Sequence, residues 1–116
     1  MERKSVKVVN INAIDSFTFP GGLRVRRLIT KKREDSSLLL LGVAMADPGE
    51  GLSWCYEEKD EVYFIVRGKI TLKYGDEEVE AKEGDAVYLP MGWKYELKNT
   101  GTEPMMLVYV LSPAAE

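Results

Sequence analysis

Histidine is missing from this sequence altogether. Its absence rules out a cysteine–histidine nucleophile and a serine–histidine triad, because no imidazole is left to take the proton. It also removes the neutral ligand that lets a protein bind a divalent ion without stacking negative charge. Cysteine is nearly missing too: Cys55 is the single thiol, so no internal disulfide can form. Long apolar runs are lacking. The longest, Leu38 to Leu41 and Met105 to Leu111, are far too short to span a bilayer, and no membrane partner is expected. Nor is there a strong excess of one charge. The net charge of −3 favours solubility and argues against nucleic acid as a partner. The one basic run, Arg24, Arg26, Arg27, Lys31, Lys32 and Arg33, is followed at once by Glu34 and Asp35 and reads as a solvated hairpin. Met1-Glu2-Arg3-Lys4 leads into alternating residues and not into an apolar core. No export signal is therefore expected, and a cytoplasmic location is the simplest reading.

Good long helices are also lacking; alternation with period two takes their place. Ser5 to Val9, Leu23 to Ile29, Val62 to Val66, Lys69 to Lys73 and Lys94 to Lys98 read as strands. Pro20-Gly21-Gly22, Asp47-Pro48-Gly49, Glu83-Gly84-Asp85 and Pro90-Met91-Gly92 read as turns between strands. Gly21-Gly22 and Gly49-Glu50-Gly51 are not phosphate loops, since no helix follows them. Residues 15–20 fit either a strand or a turn. Short strands at even spacing predict an all-β sandwich or barrel, and 116 residues suit one domain over residues 1–116. Leu38 to Ala46 and Met105 to Leu111 are apolar on both faces. Such strands are covered on both sides, by a second subunit or by a terminal segment, and a homodimer is expected.

Two segments carry a resemblance. The first reads Gly49, five residues, Cys55, one residue, Glu57, three residues, Glu61, six residues, Gly68. The second reads Gly84, five residues, Pro90, Met91, Gly92, two residues, Tyr95, three residues, Asn99. This pattern resembles the two motifs of the cupins, in which histidines stand at the positions taken here by Cys55, Glu57 and Tyr95. The resemblance implies an all-β cupin double-stranded β-helix, a jelly-roll barrel, with the first motif facing its interior. Cupins also tolerate four residues before the glutamate. In that register Trp54 and Tyr56 replace Cys55 and Glu57 as the pocket pair; the fit of Gly49 to Cys55 favours the first register.

In the favoured register, strand alternation puts Cys55, Glu57 and Glu61 on one face, followed by Tyr63, with Tyr95 approaching from the neighbouring strand. Three chemistries are open. Carboxylate, thiolate and phenolate could bind a metal, but this set would need up to four deprotonations, so no cofactor is expected. Glu57 and Glu61 in one low-dielectric pocket could not both ionise cheaply; with Tyr95 they could run metal-free proton transfer in an isomerase, epimerase or dehydratase, Glu61 and Tyr95 being the catalytic pair. Alternatively the pocket binds a small polar or carbohydrate-like molecule through Cys55, Glu57, Tyr63, Trp54 and Trp93. The last is the preferred reading. A lone cysteine otherwise acts as a small buried hydrophobe, and at least one of the two tryptophans is expected to serve packing.

Overall fold

A computed structural model of the chain describes residues 5–114. Residues 1–4, on which the expectation of no export signal rests, lie outside them. Ten strands follow in order: β1 (Phe17–Thr18), β2 (Arg24–Ile29), β3 (Leu40–Ala46), β4 (Gly51–Cys55), β5 (Asp60–Arg67), β6 (Lys69–Tyr74), β7 (Glu77–Lys82), β8 (Ala86–Leu89), β9 (Lys94–Asn99) and β10 (Met105–Ser112). Helix among the described residues is confined to a 3-10 turn, Ile11–Ala13, and one α-helical turn, Lys31–Glu34. No helix there is long and apolar enough to cross a membrane.

The expected strands from Leu23 onward form within a residue or two of their predicted ends. Ser5 to Val9 does not: Val6 and Val8 are 94% and 93% exposed. Alternation alone makes no strand where no neighbouring edge accepts its hydrogen bonds. The undecided stretch 15–20 resolves into β1, a two-residue strand paired with β2.

The strands make a six-stranded sheet, β1-β2-β3-β10-β5-β8, and a four-stranded sheet, β4-β9-β6-β7, with antiparallel ladders throughout. The jelly-roll layering is present, but neither sheet closes into a barrel, which corrects the barrel expected from the resemblance. At one edge the sheets meet through a single bridge, Gly22 to Gly51. At the other, β7 carries Glu77, Glu78, Glu80 and Lys82 as exposed side chains and stays solvated as an edge. A cleft lined by Leu72, Val79, Val87, Tyr88 and Tyr95 opens between β7 and β8 in its place.

The inner faces share one apolar core, built around Val25, Leu40, Ile65, Ile70, Leu72, Leu89, Leu97, Met105 and Leu107. The motif glycines and Asn99 are structural. Gly68 and Gly84 have φ of 88° and 90°, a region that side chains disfavour. Asn99 is buried and donates through Nδ2 to Ala46 O and Glu103 O, both at 2.9 Å, pinning the loop before β10.

Candidate functional site

The larger sheet presents its inner face as a grid. Strand pairing sets Arg27 opposite Gly42, Gly42 opposite Tyr109, and Tyr109 opposite Tyr63, one row across β2, β3, β10 and β5. The row on one side is apolar: Val25, Ala44, Leu107, Ile65. The row on the other runs Leu40, Leu111, Glu61, Leu89. Facing this grid, β4 and β9 contribute Leu52, Trp54 and Leu97. Between the sheets lies a cavity of about 230 Å³ whose polar lining includes Arg27, Ser53, Trp54, Tyr56, Glu61, Tyr63 and Tyr109.

Glycine is needed at position 42. A Cβ there would come within 2.4 Å of Tyr109 Cζ, so the flat backbone is what allows the Tyr109 ring to lie across β3 towards Arg27.

Glu61 is 6% exposed. Trp54 Nε1 donates to its Oε1 at 3.1 Å, and the Tyr63 hydroxyl is a second partner. Burial pushes its carboxyl up to about 7, and the two hydrogen bonds offset only part of that rise. Burial also holds the Tyr63 phenol well above its ordinary range, helped by the Glu61 charge. Tyr109 is pushed up to about 12 by burial, although the Arg27 guanidinium beside it pulls the other way. Tyr56 is raised by burial and by Glu61, again opposed by Arg27.

Trp54, Glu61 and Tyr63 are therefore brought together. Cys55 and Glu57 are not: both are exposed, and the Cys55 thiol lies 3.3 Å from Glu57 Oε1 on the outside. This corrects the favoured register of the first motif. Trp54 pairs with Tyr95 and Leu52 with Leu97 across the β4–β9 ladder; because Tyr95 and Leu97 are buried, their partners share the inner face. The loop between β4 and β5 then brings Tyr56 and Glu61 to the same cavity, so the four-residue spacer applies. The coupling expected between two carboxyls disappears with it; burial, not Glu57, raises Glu61.

Tyr95 is buried on the neighbouring strand but lines the β7–β8 cleft instead of the Glu61 cavity. Its hydroxyl donates to Pro90 O at 2.6 Å. Trp54 stands beside it, ring centroids 5.6 Å apart. Trp93 is 45% exposed and packs edge-on against Tyr74 at 5.6 Å. Rings thus run from the cavity to the surface in the order Tyr63, Trp54, Tyr95, Tyr74, Trp93, and only the first two line the cavity.

Polar cavity residues that escaped the sequence reading as site residues are Arg27, Ser53 and Tyr109, along with Gly42, which lies beneath the Tyr109 ring. The signal was phase. Leu23 and Val25 are buried, and Arg27 continues their odd-numbered face, whereas Arg24 and Arg26 alternate with them.

The resemblance implies a metal at the motif positions. The cavity offers one carboxyl, an indole N–H that can only donate, and phenols held protonated by burial. Among the described residues no group of three or more histidines, cysteines or carboxylates gathers anywhere. This donor set does not fit a divalent ion.

The sequence profile of the family described as Cupin domain matches residues 42–111. The chain is similar to the tetracenomycin polyketide synthase protein TcmJ of Streptomyces glaucescens, at 25% identity over 95 residues, or 81% of this chain and 64% of that protein. It spans less than two thirds of TcmJ's length, at that 64%. It is also similar to protein SchB of Streptomyces halstedii, 25% identical over 116 residues, covering 99% of this chain and 83% of SchB. Among solved structures, a predicted oxalate decarboxylase from Thermotoga maritima shares the fold at a TM-score of 0.80 and 20% identity, over 92% of this chain and 99% of that one.

Proposed function

Because the chain belongs to the cupin domain family, we propose that it binds a small polar molecule between its two sheets without a resident metal. One observation carries this reading. Buried Glu61, hydrogen-bonded by Trp54 and flanked by Tyr63, stands on the wall of a cavity between the sheets whose lining is mostly apolar. Polar groups placed there cost stability unless they have partners, and a ligand with a hydroxyl or carbonyl supplies further ones. Trp54 and Tyr56 add flat apolar surface for stacking a ring. Cys55, Glu57 and Trp93 are left out of this reading because their side chains lie outside the cavity.

Thermal melts with a panel of hexoses, polyols and short organic acids test it. A binder should raise the melting midpoint of the native protein, and the shift should shrink with Glu61→Gln and vanish with Trp54→Ala. A panel that shifts neither the native protein nor any variant counts against the cavity as a binding site.

Proton transfer is the second reading, and the Glu61 carboxyl held at about 7 favours it: such a group exchanges its proton readily at neutral pH. Tyr63, which touches Glu61, replaces Tyr95 as its partner in that reading. Turnover of a bound compound by native protein, lost in Glu61→Gln while binding persists, would decide for it.

A homodimer belongs to the same proposal. Val62, Phe64 and Val66 on β5 are 43%, 49% and 40% exposed. Phe64 lies beside Val108 on the same outward face, and the row ends on β3 at Val43, which is already 7% exposed. A second copy of the chain is the occupant that would cover this row on both protomers at once. A cytoplasmic setting, argued from the single cysteine, completes it.

A further inference from the structure

We infer that the ligand is a small organic acid, its anionic group held by Arg27 at the rim of the cavity and its body lying along the apolar wall towards Glu61. The inference rests on the cavity-binding reading and names the ligand's chemical class.

Arg27 is placed for this by the backbone. It lines the interior cavity and also the outer depression formed with Ile14, Asp15, Phe17, Thr30, Lys32 and Arg33, so it stands between the two; Asp15 lines only the outer one and forms no ion pair with it. Its guanidinium carbon lies 4.7 Å from the centre of the Phe17 ring, which stacks on the group and fixes its plane. The Tyr109 hydroxyl, its ring lying over Gly42, stands beside it. A guanidinium has five N–H donors, so several remain.

What Arg27 lacks is a counter-charge. Among the described residues Arg24 pairs with Asp47 and Glu50, Arg33 with Glu34 and Lys69 with Glu80, while Arg27 forms no ion pair. Glu61, the one carboxyl in the cavity lining, is engaged by Trp54 and Tyr63 instead. Among the described residues, then, the cavity lining contains a cation with no anion paired to it, and a ligand can supply one. Carboxylate is the planar, two-oxygen group that matches the guanidinium fork. Leu23, Val25, Leu52, Leu97, Leu107 and Leu111 supply an apolar wall, which suits the hydrocarbon part of an acid better than a fully hydroxylated sugar. Tyr56 sits within electrostatic reach of both Arg27 and Glu61 and can donate to either end of the ligand.

Two measurements test this, one with ligands and one without. Benzoate, 4-hydroxybenzoate and hexanoate, each set against its own amide and against glucose and mannose, are titrated calorimetrically at a pH below the Glu61 midpoint of about 7. The acids should bind and the amides and sugars should bind far more weakly. Arg27→Met, which keeps an unbranched stem, should weaken the acids by roughly ten- to a hundredfold, the loss of charge-assisted hydrogen bonds. In a Trp93→Phe background the remaining emission is from Trp54 on the cavity wall. Iodide should quench it severalfold less after Arg27→Met, while quenching by neutral acrylamide stays the same. Equal iodide quenching in both proteins overturns the anion site whatever else binds. Amides or sugars binding as tightly as acids, with Arg27→Met without effect, overturns the acid and leaves the cavity-binding reading intact. If no compound binds but iodide quenching depends on Arg27, the anion site stands and the cavity-binding reading is what fails for these compounds.

Discussion

Strand β5 has two faces, and each reverses the usual rule of burial. Odd-numbered residues point inward and include Glu61 and Tyr63, each 6% exposed. Even-numbered residues point outward and are Val62, Phe64 and Val66, at 43%, 49% and 40%. A buried carboxyl and exposed aliphatics on one strand are each unfavourable for an isolated folding unit. Neither is explained by the fold, since the same ladder would form with the polarities exchanged. The contrast therefore points to two uses, a ligand inside and a partner outside, and each can be broken separately.

The largest expected effect is on the outer face. If a second copy covers it, Phe64→Glu places a charge in the middle of the apolar row and should weaken self-association by roughly a hundredfold or more. Light scattering after gel filtration should then fall from twice the chain mass to the 13.1 kDa of one chain. A native protein that is already monomeric at high concentration removes the outer half of the comparison. A Phe64→Glu dimer moves the interface elsewhere.

The inner face comes next. The Glu61 carboxyl lies at about 7 in the folded chain against an ordinary value of 4.5. Below the unfolded value both states hold the proton and nothing is lost. As pH rises from there to about 7 the unfolded chain releases its proton more readily, so stability falls; above about 7 the loss is constant. The full cost is about 3 kcal/mol. Glu61→Gln keeps an oxygen to accept from Trp54 and carries no charge, so it should flatten this slope and be the more stable protein at pH above 7. Parallel slopes in urea titrations of the two proteins across that window would show that Glu61 is solvated after all.

A somewhat smaller effect is expected at Gly42. The added methyl of Gly42→Ala meets the Tyr109 ring, with Cζ 2.4 Å away, and should cost about 2 kcal/mol. Tyr109 must swing off β3 to relieve it, which takes away the hydroxyl beside Arg27. Gly42→Ala should therefore weaken acid binding as well as lowering the melting midpoint. An unchanged midpoint would mean the ring is free to move and does not brace Arg27.

Much of this was legible in the sequence, and the failures share a cause. The turn glycines, Pro90 and Asn99 specify backbone, and their spacing located the strands well. Barrel closure depends on whether two edges meet, and the charged β7 decides that in a way motif spacing does not report. The cavity set was missed at Arg27 because it sits in a run of basic residues that reads as a solvated face; only its phase with Leu23 and Val25 separates it from Arg24 and Arg26. Cys55 and Glu57 were misplaced for the opposite reason. Motif spacing allowed two registers, and the chemically attractive pair was preferred over the bulky one. Trp54 and Tyr56 bury far more apolar area than a thiol and a carboxylate would, so the chain turns them inward.

The smallest expected effect therefore tests the register itself. Cys55 is fully at the surface, and its thiol is held protonated above its ordinary value, first by the hydrogen bond to Glu57 and then by partial desolvation and the Glu57 charge. Cys55→Ser should leave the melting midpoint and ligand affinity unchanged, because neither the core nor the cavity contains the thiol. Reactivity supplies the positive signal that silence alone cannot. The thiolate is the species that attacks a disulfide reagent, so native Cys55 should react more slowly than a free thiol at the same pH, and Glu57→Gln should speed it. Bound ligand should protect neither, since the cavity lies on the other side of β4. A Cys55 that ligand shields from the reagent, or a Cys55→Ser protein that loses its ligand, would turn β4 over and put the thiol and Glu57 inside.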